Sequence, residues 1–152
     1  MKNLLSRLAI VGLLLAPAVA AQEHGAHQCS QDGIGIGGYD LVSYHSAEGP
    51  VLGSAEFAVE HGGLTYRFAT AANRERFVAA PEDYLPRYSG FCAATLSMGR
   101  LACPDYTNFK IEDGELLLFE LAGFTNGRTL WNSDPAGFRQ RADDNGSKLL
   151  NQ

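Results

Sequence analysis

The sequence has few positive charges. Its 152 residues hold 12 lysines and arginines against 17 aspartates and glutamates, which gives a formal net charge of −5 at pH 7. Nucleic acids and anionic membranes bind basic surfaces, so this acidic balance argues against both as partners. The sequence also lacks a nucleophile–base–acid order, a phosphate-binding loop and a nucleotide-binding fingerprint. The sequence therefore carries none of the common catalytic or nucleotide-binding motifs.

The sequence also lacks an apolar run long enough to cross a bilayer. The apolar stretch LAIVGLLLAPAVA follows Lys2 and Arg7 and ends in a small-x-small pattern, which is typical of a secretory signal peptide. We predict a signal peptide over residues 1–20, with Ala21 as the alternative end. Because this segment holds Lys2, Arg7 and no acidic residue, its removal lowers the formal net charge from −5 to −7. The mature protein is expected to be periplasmic or secreted, with no membrane attachment after cleavage.

No internal repeat or low-complexity run divides the rest of the chain. Its length is that of one domain with one core. We expect a flexible amino-terminal segment over residues 21–33, a single domain over residues 34–145 and a carboxy-terminal tail over residues 146–152.

Two β-hairpins are predicted from the spacing of apolar residues. In EFAVEHGGLTYRFAT, apolar and polar residues alternate on both sides of Gly62 and Gly63, which is typical of paired strands around a tight turn. In NFKIEDGELLLFEL, two apolar runs flank Asp113 and Gly114, a dipeptide that favours a two-residue hairpin turn.

Three helices are predicted from their end signals. The first covers Ala71 to Ala79, after a Thr70 cap and before Pro81. The second begins near Gly90 with a Ser89 cap and ends at Gly99. A terminal helix opens at Asp134-Pro135, with the proline at its first position. Together with the hairpins, these helices predict an α+β fold with short helices and a C-terminal helix.

Five strings in this order resemble the secreted branch of the YHS domain family. That branch reads as Gly-Tyr-Asp-Pro-Val-x-Tyr, Gly-x-x-x-Phe, Tyr-x-Phe, Phe-x-x-x-Pro and Tyr-x-Gly-Tyr-Cys-Ala. The matching positions are Gly38 to Tyr44, Gly53 to Phe57, Tyr66 to Phe68, Phe77 to Pro81 and Tyr88 to Ala93. FKIEDGELLL and LWNSDPAGF continue the match, so that it covers residues 34–142.

The resemblance implies a small α+β module that binds a transition metal, copper or a similar ion. The expected partner is therefore a metal ion or a small molecule. Compact members of the family carry cysteines where this chain has Ser43 and Ala69, so those soft ligands are missing. Leu41 also stands in place of the usual proline. Cys92 is the family cysteine that remains, and some relatives carry selenocysteine at its box. His45, in the literal Tyr-His-Ser string, is a candidate second ligand.

Cys92 is the centre of the functional prediction. If Ser89 caps a helix, Cys92 lies in its first turn, where free N–H groups and the helix dipole favour a thiolate. A thiolate is both a soft metal ligand and a nucleophile, so the alternative to a metal site is a thiol-redox enzyme or sensor. Flanked by Phe91, Ala93 and Ala94, Cys92 also fits a small buried apolar residue.

The chain holds three cysteines, an odd number for an exported protein. The family pattern does not require Cys29 or Cys103, and two extra cysteines appearing together imply a bond between them. That bond would close a loop of about 75 residues and stabilise the fold by about 4–5 kcal/mol in the chain-entropy model. The alternative bond, Cys92–Cys103, would make Cys92 half of a redox or structural disulfide.

Two further groups of residues are candidates for binding. His24 and His27 lie close to Cys29 in QEHGAHQC, and imidazole with thiolate suits copper or zinc, although a polar terminal segment is often unordered. A separate set of candidates for lining a cleft, which also fits core packing, is Tyr39, Asp40, Tyr44 and Tyr88.

Overall fold

The structure is a computed structural model that describes residues 28–151. The strands are β1 Ser30–Gln31, β2 Ile34–Gly35, β3 Ser54–His61, β4 Leu64–Phe68, β5 Asp105–Glu112, β6 Glu115–Phe119, β7 Leu121–Ala122 and β8 Thr125–Asn126. The α-helices are α1 Ala71–Ala79, α2 Ala93–Ser97, α3 Gly127–Ser133 and α4 Pro135–Leu149. The predicted α+β class is confirmed, with β-hairpins, short helices and a long C-terminal helix.

Both predicted hairpins are present. β3 and β4 pair antiparallel around Gly62 and Gly63, and β4 also pairs in parallel with β2, so that the four-stranded sheet has the order β1-β2-β4-β3. β5 and β6 pair antiparallel around Asp113 and Gly114. β4 buries alternate residues, Leu64, Tyr66 and Phe68, as a strand with one core-facing side must.

β6 separates two hydrophobic clusters. Its sequence, ELLLF, is apolar at successive positions because a strand points alternate side chains to opposite faces and both faces of β6 are buried. Leu116 and Leu118 join the first cluster, which also contains Tyr44, Phe68 and Phe77. The second cluster takes the other face of β6, and its buried members are Tyr88, Cys92, Ala93, Ala94, Leu96, Leu117, Phe119, Trp131 and Ala142.

The first and last predicted helices are present. α1 is capped by Thr70, whose side chain accepts from the N–H of Asn73, and it covers the predicted residues. α4 has Asp134 as its cap and Pro135 in its first turn. It continues to Leu149, because its buried Gly146 packs on Leu96 of α2, so residues 146–149 belong to the helix and not to a tail.

The second predicted helix begins later than expected. Ser89 is not its cap, because Ser89 has a left-handed φ of 54°, and α2 starts at Ala93 with Cys92 as the N-cap. Gly99, with a φ of 75°, follows the end of this helix as predicted.

Residues 28–33 are not a flexible segment. β1 pairs with β2, and Cys29 forms a disulfide, so this stretch is held to the sheet. The predicted signal peptide, His24 and His27 lie outside the described residues. Within residues 28–151, no helix combines the length and the apolar character needed to cross a membrane.

Candidate functional site at Cys92

Cys92 lies at the point where the chain turns into α2. Its Sγ accepts a hydrogen bond from the N–H of Thr95 at 3.5 Å, so the sulfur occupies the place that a serine or aspartate oxygen takes in an ordinary N-cap. Cys92 is 0 % exposed and is the free cysteine of residues 28–151. The sulfur therefore satisfies one N–H group at the start of α2.

The start of α3 closes over the sulfur. A Cβ built on Gly127 would lie 3.3 Å from the Sγ of Cys92, 3.3 Å from the carbonyl oxygen of Glu120 and 3.4 Å from the Cβ of Ala94. These separations are tighter than ordinary van der Waals contact, so glycine is the residue that leaves room for the sulfur. In this conformation the thiol is enclosed by the second cluster and solvent does not reach it.

A strained turn leads into Cys92. Tyr88, Ser89 and Gly90 all have left-handed backbones, with φ of 65°, 54° and 80°. Tyrosine and serine in this region each cost about 1–2 kcal/mol, a cost that glycine does not carry. Strain of this kind persists where surrounding contacts hold the backbone in place, and it is concentrated at functional sites.

Side chains from α4 and from the preceding loop hold this turn. The hydroxyl of Tyr88 donates to Oδ1 of Asp143 at 2.8 Å, and Nη2 of Arg87 donates to the same oxygen at 2.9 Å. Burial, followed by the hydrogen bond to Asp143, raises the pKa of Tyr88 to about 12, so this hydroxyl keeps its proton at neutral pH. Nη1 of Arg87 also pairs with Glu115 on β6.

The disulfide holds the other side of the same turn. Cys29 and Cys103 are bonded, with a Cα–Cα distance of 5.6 Å, so the implied pairing is confirmed and the Cys92–Cys103 alternative is wrong for this state. The N–H of Cys29 donates to the carbonyl of Ser89 at 3.1 Å, and the N–H of Cys92 donates to the carbonyl of Ala102 at 2.9 Å. Both halves of the disulfide therefore adjoin the segment that carries Cys92.

His45 belongs to a different region of the molecule. It lines an open groove of about 400 Å³ together with residues of α1, and its ring stacks edge-on against Tyr84 at 5.5 Å. Partial burial lowers the pKa of His45, against an opposing effect of Asp83, so the imidazole is neutral at pH 7. The structure places His45 beside the first cluster and Cys92 in the second, and it does not bring them together as a ligand pair.

The described residues do not supply a metal-ligand set around Cys92. Within residues 28–151, no group of three or more histidine, cysteine, aspartate or glutamate side chains is arranged to hold a metal ion.

The four residues predicted as cleft candidates have structural roles here. Asp40 is completely buried and accepts hydrogen bonds from Val42, Ala69 and Asn73. Tyr44 is buried, which raises its pKa, and donates to the carbonyl of Tyr106. Tyr88 supports the strained turn, as described above.

Tyr39, the fourth cleft candidate, is half-buried, and the centroid of its ring lies 6.3 Å from that of Tyr106. Sequence reasoning missed Thr95, Ala102, Gly127 and Asp143, which surround Cys92 and the turn before it, because no local motif marks them.

Comparisons with family models, with curated proteins and with solved structures found no match for this chain.

Proposed function

We propose that this chain is an exported YHS-like domain whose function is thiol-redox chemistry at Cys92. The observation that carries the proposal is the hydrogen bond between the N–H of Cys92 and the carbonyl of Ala102, which joins the backbone of the free cysteine to the residue before Cys103, the exposed half of the disulfide. A free thiol and a disulfide on neighbouring segments are the components of thiol–disulfide exchange.

The positions that resemble the YHS family support this assignment through their roles in the fold. Tyr66, Phe68 and Phe77 form the centre of the first cluster. A Cβ on Gly53 would lie 2.3 Å from the backbone of Arg67, so this position requires glycine. Gly90 takes a left-handed φ of 80° immediately before the cysteine box. The family strings thus coincide with residues that this fold needs.

The buried thiol reacts when the part of the second cluster around it opens locally. Tyr88 and Ser89 store backbone strain, which lowers the cost of releasing the turn, and with it Tyr88, from the second cluster while the first cluster stays packed. Once exposed, the thiolate of Cys92 attacks a disulfide of an external partner. A mixed disulfide forms, the partner's second sulfur leaves as a thiolate, and the proton of Cys92 goes to solvent or to that thiolate.

The test is the reaction of native protein with an aromatic disulfide reagent, followed by absorbance, over urea concentrations below the unfolding transition. We expect one equivalent to react at a rate that depends weakly on urea, because a local opening exposes little surface. Cys92→Ser is the control and should not react. A rate that follows the urea dependence of global unfolding would show that Cys92 is core packing and would refute the proposal.

Soft-metal binding at Cys92 is the second candidate function. The observation that favours it is the hydrogen bond from Cys29 to Ser89, which brings the chain that follows His24 and His27 to a point three residues from Cys92. Cys92 would supply the thiolate ligand, and these histidines would supply the others. Cu(I) is the best fit, because it prefers thiolate and accepts imidazole.

Elemental analysis of the protein purified without a histidine tag tests this second candidate. We expect one equivalent of copper, lost in Cys92→Ser and weakened in a His24→Ala, His27→Ala double variant. Protein that carries no copper after exposure to Cu(I) in the presence of a weak competing chelator would refute it.

A further inference from the structure

The backbone of Cys103 lies close to two cysteines. Its Cα is 5.6 Å from that of Cys29, the present partner. The N–H of Cys92 contacts the carbonyl oxygen of Ala102 at 2.9 Å. Adding standard backbone lengths on either side of this hydrogen bond puts the Cα atoms of Cys92 and Cys103 at most about 7 Å apart. Disulfides usually span about 4.4–6.8 Å between Cα atoms, so a Cys92–Cys103 bond also requires the Cys92 sulfur, now packed near Gly127, to turn toward Cys103.

We propose that Cys29 and Cys92 are alternative partners of Cys103, and that the protein interconverts the two pairings by internal thiol–disulfide exchange. This inference rests on the proposed thiol function and adds an internal disulfide as a second target of Cys92. The thiolate of Cys92 attacks the Sγ of Cys103. The Cys92–Cys103 bond forms as the Cys29–Cys103 bond breaks, and Cys29 leaves as a thiolate that takes up the proton lost by Cys92. No net oxidation occurs, so the step needs no external oxidant.

Exposure decides which sulfur is attacked. Cys103 is exposed, whereas Cys29 is 3 % exposed and packs beside Gly90. The extended segment that carries Cys103 lies beside Cys92 through the Ala102 hydrogen bond, so an attack on Cys103 requires the shorter movement.

The exchange also changes what holds the strained turn. In the present pairing, the disulfide fixes Cys29, whose N–H bonds the carbonyl of Ser89. After exchange, residues 28–35 keep the pairing of β1 with β2 and of β2 with β4, but Cys29 is no longer tied to Cys103. The hydrogen bond from Cys29 to Ser89 in the turn then lacks the support of the disulfide. The pairing of Cys103 therefore controls both the amino-terminal segment and access to Cys92.

The first arm of the test uses Cys29→Ser, which leaves Cys92 and Cys103 as the cysteines of the chain. The folded variant is oxidised with glutathione disulfide, acid-quenched and mapped by non-reducing peptide mass spectrometry. We expect a Cys92–Cys103 cross-link in most molecules, and Trp131 fluorescence confirms that they are folded. Cys103 bound to glutathione with Cys92 left free would overturn the inference.

The second arm uses the wild-type protein, so that the test does not depend on the folding of Cys29→Ser. A trace of reduced glutathione at pH 8 is added, and free thiols are alkylated under acid-quenched, denaturing conditions and located by peptide mapping. We expect a minor fraction in which the label moves from Cys92 to Cys29, matched by an equal amount of Cys92–Cys103 peptide. Label confined to Cys92 after equilibration would also overturn the inference.

The two proposals fail in different ways. If Cys92 reacts with the aromatic disulfide reagent below the unfolding transition but never pairs with Cys103, the exchange is refuted and the thiol function stands. If Cys92 does not react with the reagent until the protein unfolds, the thiol function itself is refuted.

Discussion

The buried carboxylate of Asp40 connects two parts of the first cluster, and its removal gives the sharpest stability prediction. Oδ1 accepts from the N–H of Val42 at 2.9 Å, while Oδ2 accepts from the N–H of Ala69 at 2.9 Å and from Nδ2 of Asn73 at 2.7 Å. These bonds join the 3₁₀ turn at Leu41–His45 to the start of α1. We therefore predict that Asp40 is a structural residue and not a ligand-binding one.

The magnitude follows from the hydrogen bonds that each variant loses. Asp40→Asn in its best orientation keeps the two bonds of Oδ2 and turns an NH2 group toward Val42. Losing one bond to a charged acceptor, and leaving one buried N–H unpaired, costs about 2–4 kcal/mol. Asp40→Ala leaves all three donors unpaired and should cost about 4 kcal/mol or more. Asn73→Ala removes one donor and leaves the carboxylate with two, so it should cost about 1–2 kcal/mol.

Urea unfolding followed by tryptophan fluorescence measures this series. Trp131 is the single tryptophan of the chain and is completely buried, so its emission reports the loss of the second cluster. We expect the midpoints to fall in the order Asn73→Ala, Asp40→Asn, Asp40→Ala, with unchanged slopes. An Asp40→Asn variant whose free energy of unfolding lies within about 0.5 kcal/mol of the wild-type value would refute the reasoning. The cost of burying the carboxylate would then equal the stabilisation from its hydrogen bonds.

Three further predictions concern the turn, the sheet and pH. Ser89→Gly should stabilise the fold by about 0.5–1 kcal/mol in urea unfolding, since relief of the left-handed strain outweighs the added flexibility of the unfolded chain; a loss of stability would contradict the strain. Gly53→Ala should lower the free energy of unfolding by about 3 kcal/mol or more in the same assay, because the new Cβ would lie 2.3 Å from backbone atoms of Arg67. Gly33→Ala, which has open space but a left-handed φ of 73°, should lower it by about 1–2 kcal/mol. Burial raises the pKa of Glu112, but hydrogen bonds from Lys110, Arg139 and Trp131 outweigh burial, so the pKa lies below 4.5. The ionised Glu112 therefore stabilises the folded state above pH 4.5, and this contribution is lost as the pH falls through the lowered pKa. Unfolding free energies measured from pH 7 to pH 3 should fall less steeply in Glu112→Gln, and parallel curves would show that Glu112 does not carry this dependence.

The sequence alone was sufficient for the elements that local interactions define. The Gly62-Gly63 and Asp113-Gly114 turns were predicted correctly, because tight turns and side-chain alternation are properties of neighbouring residues. The start of α1 was predicted correctly for the same reason, since Thr70 caps an N–H three residues away.

The candidate site was predicted in part. Cys92 was recognised as a helix-start cysteine, and it does lie at the start of α2, but as the cap itself. The free state of Cys92 and the Cys29–Cys103 bond were both predicted, although the pairing came from the family resemblance and not from the cysteine spacing. The expectation that His45 lies near Cys92 had no local basis, because 47 positions separate the two residues.

Local sequence determined the α+β class, both hairpins and the ends of α1, because each depends on residues within a few positions of one another. Tertiary structure alone decided that Ser89 takes a left-handed backbone and that the helix cap moves to Cys92. The contacts responsible join the turn to Cys29, to Ala102 and, through Tyr88, to Asp143 on α4, 55 residues further along the chain. Such contacts form only once the whole chain has packed, and together they outweigh the local preference of a serine to cap a helix.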